Sequence, residues 1–95
     1  MLVPICVKQQ QDGRLIATVP DMPGVSASGS ELGRTLTRIH LKLEGYISEL
    51  LLADQPVPEV RTLAQVRGMD SVTECYEIHI NLTHLRAVAK HQWGR

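Results

Sequence analysis

The stretch "DGRLIATVPDMPGVSASGSEL", residues 12–32, decides how this chain folds. Asp12-Gly13 is a hairpin signal, because glycine holds the positive φ that a tight two-strand turn needs. Leu15, Ala17 and Val19 then alternate with Ile16 and Thr18, the two-residue period of a strand with unlike faces. Pro20 ends that strand. "PDMPG" turns the chain, and Pro23 before Gly24 predicts a type II turn with Gly24 left-handed. "VSAS" is a short third strand, broken by Gly29. Ser30 is the expected helix N-cap, and Glu31 stands near the positive end of the helix dipole.

Before this stretch, "LVPICVK" reads as a first strand, with Val3, Ile5 and Val7 on one face. Pro4 has no N–H for a ladder, so its amide position falls at an open edge or a bulge. After the stretch, Leu32, Leu36, Ile39, Leu43, Ile47 and Leu50 recur at three- and four-residue steps. That is the apolar stripe of a helix running from Glu31 to near Ala53. Gly45 is the candidate for close helix–sheet approach. Pro56 and Pro58 end the helix. "RTLAQVRG" makes a helical turn or two closed by Gly68. "YEIHINL" alternates most clearly, with Tyr76, Ile78, Ile80 and Leu82 on one face. Thr83 is expected to cap a final short helix, with Leu85, Val88, Ala89 and Trp93 turned inward.

The order predicts an α+β fold of two layers: an antiparallel three-stranded meander plus a fourth strand, with one long helix across one face. A parallel fourth strand would require a right-handed connection. The 95 residues make one domain, 1–95. Phe is absent, Trp occurs once and Tyr twice, so the core is aliphatic and thin. Self-association, as a dimer or higher homo-oligomer, is the expected compensation. Ten basic and ten acidic residues cancel, which argues against nucleic-acid binding by this chain alone. Cys6 and Cys75 make no disulfide framework and read as reduced thiols. No apolar run reaches the length of a membrane span, and a cytoplasmic protein is expected.

In this order and at these places the residues resemble the HicB-like family, antitoxin partners of HicA, a small mRNA-cleaving toxin. "DGRLIATVPDMPGVSASGSEL" is similar to the family's Asp-Gly hairpin, "P-D-L-P-G" turn and helix start. "LEGYISELLLADQPVPEV", residues 43–60, is similar to its helix end and proline exit, and "YEIHINLTHL", residues 76–85, to its final strand and cap. Asn81 stands where the family often has an acidic residue. The resemblance implies a partial ribonuclease-H-like β-β-β-α-β core and a HicA-type toxin as partner. The family's usual C-terminal DNA-binding segment is not expected here, because the chain closes with "RAVAKHQWGR" shortly past the last strand.

No chemistry is expected of the chain itself. Two-metal hydrolysis needs converging carboxylates, and no pair of them shares a strand face. The histidines lack ligand spacing. Cys75 and His79 point the same way from one strand but lie about 13 Å apart at about 3.3 Å per residue. No catalytic residue, metal site or cofactor is therefore assigned. The candidate partner contacts are Asp21 and Met22 on the stiff turn, and Glu74 and Glu77 beside the last strand. Their carboxylates would meet a basic toxin surface. The expected function is steric neutralisation of a HicA-type toxin. The alternative is an orphan self-associating regulatory or scaffold module.

Overall fold

The computed structural model describes residues 1–68 and 74–93, with side chains described as far as Val88. Among the described residues three strands, β1 (Leu2–Gln9), β2 (Leu15–Thr18) and β3 (Ser26–Gly29), are followed by two helices, α1 (Leu32–Leu52) and α2 (Leu63–Arg67), then by strand β4 (Glu74–His79) and helix α3 (Leu82–Trp93). The sheet order is β3-β2-β1-β4 and every pairing is antiparallel. The fourth strand therefore runs opposite to its neighbour β1, and the handedness rule for parallel crossovers does not apply. Main-chain bonds between Met1 and Ile80 carry the β1–β4 ladder one step further. Strand β2 pairs with β1 only from Cys6 onward, which leaves Pro4 beyond that ladder.

Alternation gives the sheet two unlike faces. Val3, Ile5, Val7, Ala17, Ala27 and Ile78 point to one side and join Ile39, Leu43 and Ile47 of α1 in a single apolar cluster. Helix α1 lies across β2 and β3, and α3 packs along α1, adding Leu85. Helix α2 packs against β4 and β1 instead. Its buried Val66, together with Cys75, stands outside the main cluster. Alternation puts Cys75 on the face opposite Ile78, so α2 covers part of the second face.

Several local expectations change. Glu31 holds the N-cap position of α1 and its side chain makes no capping bond; Ser30 lies one residue too early. Thr35 is buried in the stripe, while Leu32 is 38 % exposed. Gly45 meets nothing near its would-be Cβ; the close approach occurs at Gly29, where a Cβ would sit 2.6 Å from Thr35 Oγ1. Gly29 is the last residue of β3 and lets α1 settle on the strand. Gly24 is not at positive φ; Gly13 is, at 87°. The turn is thus not type II. It is two successive bends, with the Met22 N–H donating to Val19 O and the Val25 N–H to Met22 O.

Helix α1 ends before the prolines act. Asp54, at φ 55°, donates its N–H to Leu51 O while the Gln55 N–H reaches Leu50 O. That pair of bonds is a Schellman ending with aspartate in the left-handed position. Thr62 and Gln65 form a reciprocal capping box on α2. Asn81, not Thr83, caps α3, its Oδ1 accepting the His84 N–H at 3.0 Å. Val88 is 43 % exposed rather than inward; the inward placement expected of Ala89 and Trp93 lies outside the described side chains.

Candidate partner-binding surface

The "PDMPG" turn is built from within. Met22 is 1 % exposed and belongs to the apolar core. Proline at both flanks and the two bends direct its side chain inward, so Met22 is not a surface contact and its expected role is corrected. Asp21 is equally engaged. Its Oδ2 accepts the Arg61 backbone N–H at 2.8 Å, and its Oδ1 accepts the Arg61 Nε–H, also at 2.8 Å. The Asp21 side chain is 13 % exposed and Arg61 39 %. The carboxylate therefore clasps the segment that carries the chain from α1 on one face to α2 on the other. Its first task is structural.

Glu74 and Glu77 are exposed on β4. Glu74 stands opposite Val7 and Glu77 opposite Pro4, so alternation sends them to opposite faces of the sheet. The three carboxylates do not gather into one acidic patch. Glu74 Oε2 accepts the Tyr76 hydroxyl at 2.6 Å. That bond, helped by partial desolvation and by the negative charge of Glu74, raises the Tyr76 phenol above its ordinary value.

The second face is open beside α2. A cavity of about 950 Å³ there is bordered by Cys6, Lys8, Ile16, Thr18 and Val66, with a polar lip at the hairpin. Ser26 is exposed and Ser28 half-buried on the same side of β3. Arg38 reaches over from α1 to donate to Ser28 O at 2.8 Å. Cys6 and Cys75 face each other on this side, Sγ to Sγ 3.6 Å. Among the described residues no three His, Cys, Asp or Glu side chains gather where they could hold a metal ion. His40 lies 3.6 Å from Glu44 one helical turn away, an exposed pairing of little consequence. No helix among the described residues is long and apolar enough to cross a membrane.

The clasp was not legible beforehand, since its partners are forty positions apart. The α2 cap does leave a local signal that the sequence reading missed: "TLAQ" carries Thr and Gln at the capping-box spacing.

No protein-family model and no curated protein matches the chain. Solved structures do. The N-terminal domain of the Burkholderia pseudomallei antitoxin HicB superposes with a TM-score of 0.78 at 19 % identity, covering 85 % of this chain and 99 % of that one. The longer structure of the same antitoxin gives 0.80 at 20 % identity over 90 % of this chain, which spans 65 % of the antitoxin's length. A chain of the HicA3 and HicB3 toxin–antitoxin complex gives 0.65 at 15 % identity, covering 85 % of this chain and 99 % of that one. An antiparallel β3-β2-β1-β4 sheet under a long helix is thus the arrangement this chain shares with them: it has the fold of the HicB antitoxin N-terminal domain.

Proposed function

We propose that the chain is an antitoxin-type binding module that captures a small HicA-type, mRNA-cleaving toxin in the cytoplasm and covers its active surface. The observation that carries this reading is the superposition on the isolated HicB domain over 99 % of that domain's length. The likeness to a chain from a toxin–antitoxin complex adds to it. The mechanism is steric and asks no reaction of this chain. Rigidity matters, because a preformed surface loses little entropy on binding. The Asp21–Arg61 clasp and the buried Met22 supply that rigidity at one end of the sheet. Glu77 on one face and Glu74 on the other are the contacts offered to a basic partner; a toxin lying along the outer edge of β4 reaches both.

The test is co-expression with the product of the flanking gene. Growth rescue together with co-purification of the two chains supports the reading. Growth arrest that persists while this chain accumulates in folded form overturns it. Glu74→Lys and Glu77→Lys, made singly, then report which face of β4 the partner uses.

Exposed apolar side chains favour self-association as a second property. Leu2 is 54 % and Leu41 64 % exposed, on different surfaces of the molecule. A dimer or higher oligomer would cover one of them. Light scattering of the purified chain decides between monomer and oligomer, and Leu41→Lys should shift that balance if α1 forms the contact.

A further inference from the structure

We propose that Cys6 and Cys75 are a redox-sensitive pair that closes reversibly into a disulfide between β1 and β4. This goes beyond the binding role and does not depend on it. The two residues are direct partners in the β1–β4 register, and their sulfurs lie 3.6 Å apart. Antiparallel partners have Cα atoms about 4.5–5.5 Å apart, inside the span of about 4.4–6.8 Å that a disulfide bridges. Pro4 narrows the geometry further. It has no N–H to exchange with Glu77, so Pro4–Glu77 is a non-hydrogen-bonded pair. Two residues along, Cys6–Cys75 falls in the same class, where side chains stand closest. Closing the remaining gap takes side-chain rotation and no change of register.

Access is asymmetric, which sets the order of events. Cys6 is half-buried and borders the open cavity beside α2, whereas Cys75 is 8 % exposed. With glutathione disulfide as oxidant, the Cys6 thiol gives up its proton and its thiolate attacks one glutathione sulfur. The other glutathione leaves as thiolate and takes that proton. The Cys75 thiol then loses its proton, and its thiolate attacks Cys6 Sγ in the mixed disulfide. The second glutathione leaves and is protonated. Two protein thiols are oxidised to one disulfide, and one glutathione disulfide is reduced to two glutathiones. The new bond ties the central strand to its edge neighbour across a loop holding β2, β3, α1 and α2, and it constrains the unfolded chain accordingly.

The experiment equilibrates the purified chain in glutathione buffers of graded ratio, quenches with acid, alkylates with N-ethylmaleimide and weighs the product. The expected oxidised species is a monomer that takes up no maleimide, carries no glutathione, returns to two alkylated thiols after dithiothreitol, and melts several degrees higher. Cys75→Ser should stop at a glutathione adduct on Cys6. The proposal is overturned if both thiols stay alkylatable in the most oxidising buffer. It is equally overturned if the wild-type chain halts at the Cys6 adduct or gives only disulfide-linked dimers.

Discussion

The two faces of the sheet come from the same strands and share almost nothing else. Under α1, Val3, Ile5, Ala17, Ile39, Leu43 and Ile47 are all wholly buried. On the other side, Lys8, Thr18, Ser26, Glu77 and His79 are exposed, while Pro4, Cys75 and Val66 of the five-residue α2 are buried. Successive residues of one strand must point to opposite sides, so each strand serves both faces at once. One face carries most of the core and the other is largely surface. Exposed residues on the open face can therefore change with little effect on the core.

The division is broken or confirmed most directly by matched truncations. Leu43→Ala should cost about 2–5 kcal/mol, through lost burial and the cavity left behind. Ile16→Ala, half-buried on the open face, should cost about 1 kcal/mol or less, because far less apolar area returns to water. Urea unfolding measures both. Equal losses would mean that the second face is covered by something beyond α2. Gly29→Ala should follow at about 1–3 kcal/mol, the usual penalty of overpacking. The added methyl meets Thr35 Oγ1, which is held by its own bond to Glu31 O at 2.7 Å. Thr35→Ala removes that obstacle, so the double variant should be more stable than the sum of the singles implies.

How much of this the sequence disclosed depends on the range of the interaction. The hairpin at Asp12-Gly13, the alternation in β1 and β4 and the stripe of α1 are local patterns, and each produced its element. The antiparallel sense of β4 was open, because periodicity reveals a strand's faces but not its direction. Asp21 and Met22 do lie in the turn between β2 and β3, but Met22 is buried and Asp21 is largely covered. Which way a turn side chain points is set by the partner it meets, here the α1-side core for Met22 and Arg61 for Asp21. Gly29 looked like a strand breaker. Its role depends on Thr35, a polar residue that stands outside the apolar periodicity of α1. Glu74 and Glu77 were grouped by charge, although their odd spacing already separates their faces.

The clasp between the two faces gives the next prediction. Asp21→Asn keeps the shape but loses the charge that holds Arg61. The expected cost is roughly 1–2 kcal/mol, at the low end for charged hydrogen bonds because Arg61 is partly solvated. Limited proteolysis should cut first within residues 53–62, the segment the clasp secures. If the unfolding midpoint falls with no new cleavage there, Asp21 stabilises its own turn and not the crossing.

The smallest effect is expected where the chain leaves the stable face. Asp54 occupies a left-handed conformation, φ 55°, at the Schellman ending of α1. Aspartate tolerates that region better than most residues, and glycine enters it without penalty. Asp54→Gly should therefore gain about 0.5–1 kcal/mol, the part of the left-handed penalty that an aspartate still carries. The gain should come without loss of partner binding, because the main-chain bonds from Asp54 and Gln55 need no side chain. A neutral or negative result would show that the Asp54 carboxylate contributes a contact outweighing its backbone strain. It would also mean that the exit from α1 is held by side chains, as the Asp21 turn is, and not by backbone geometry alone.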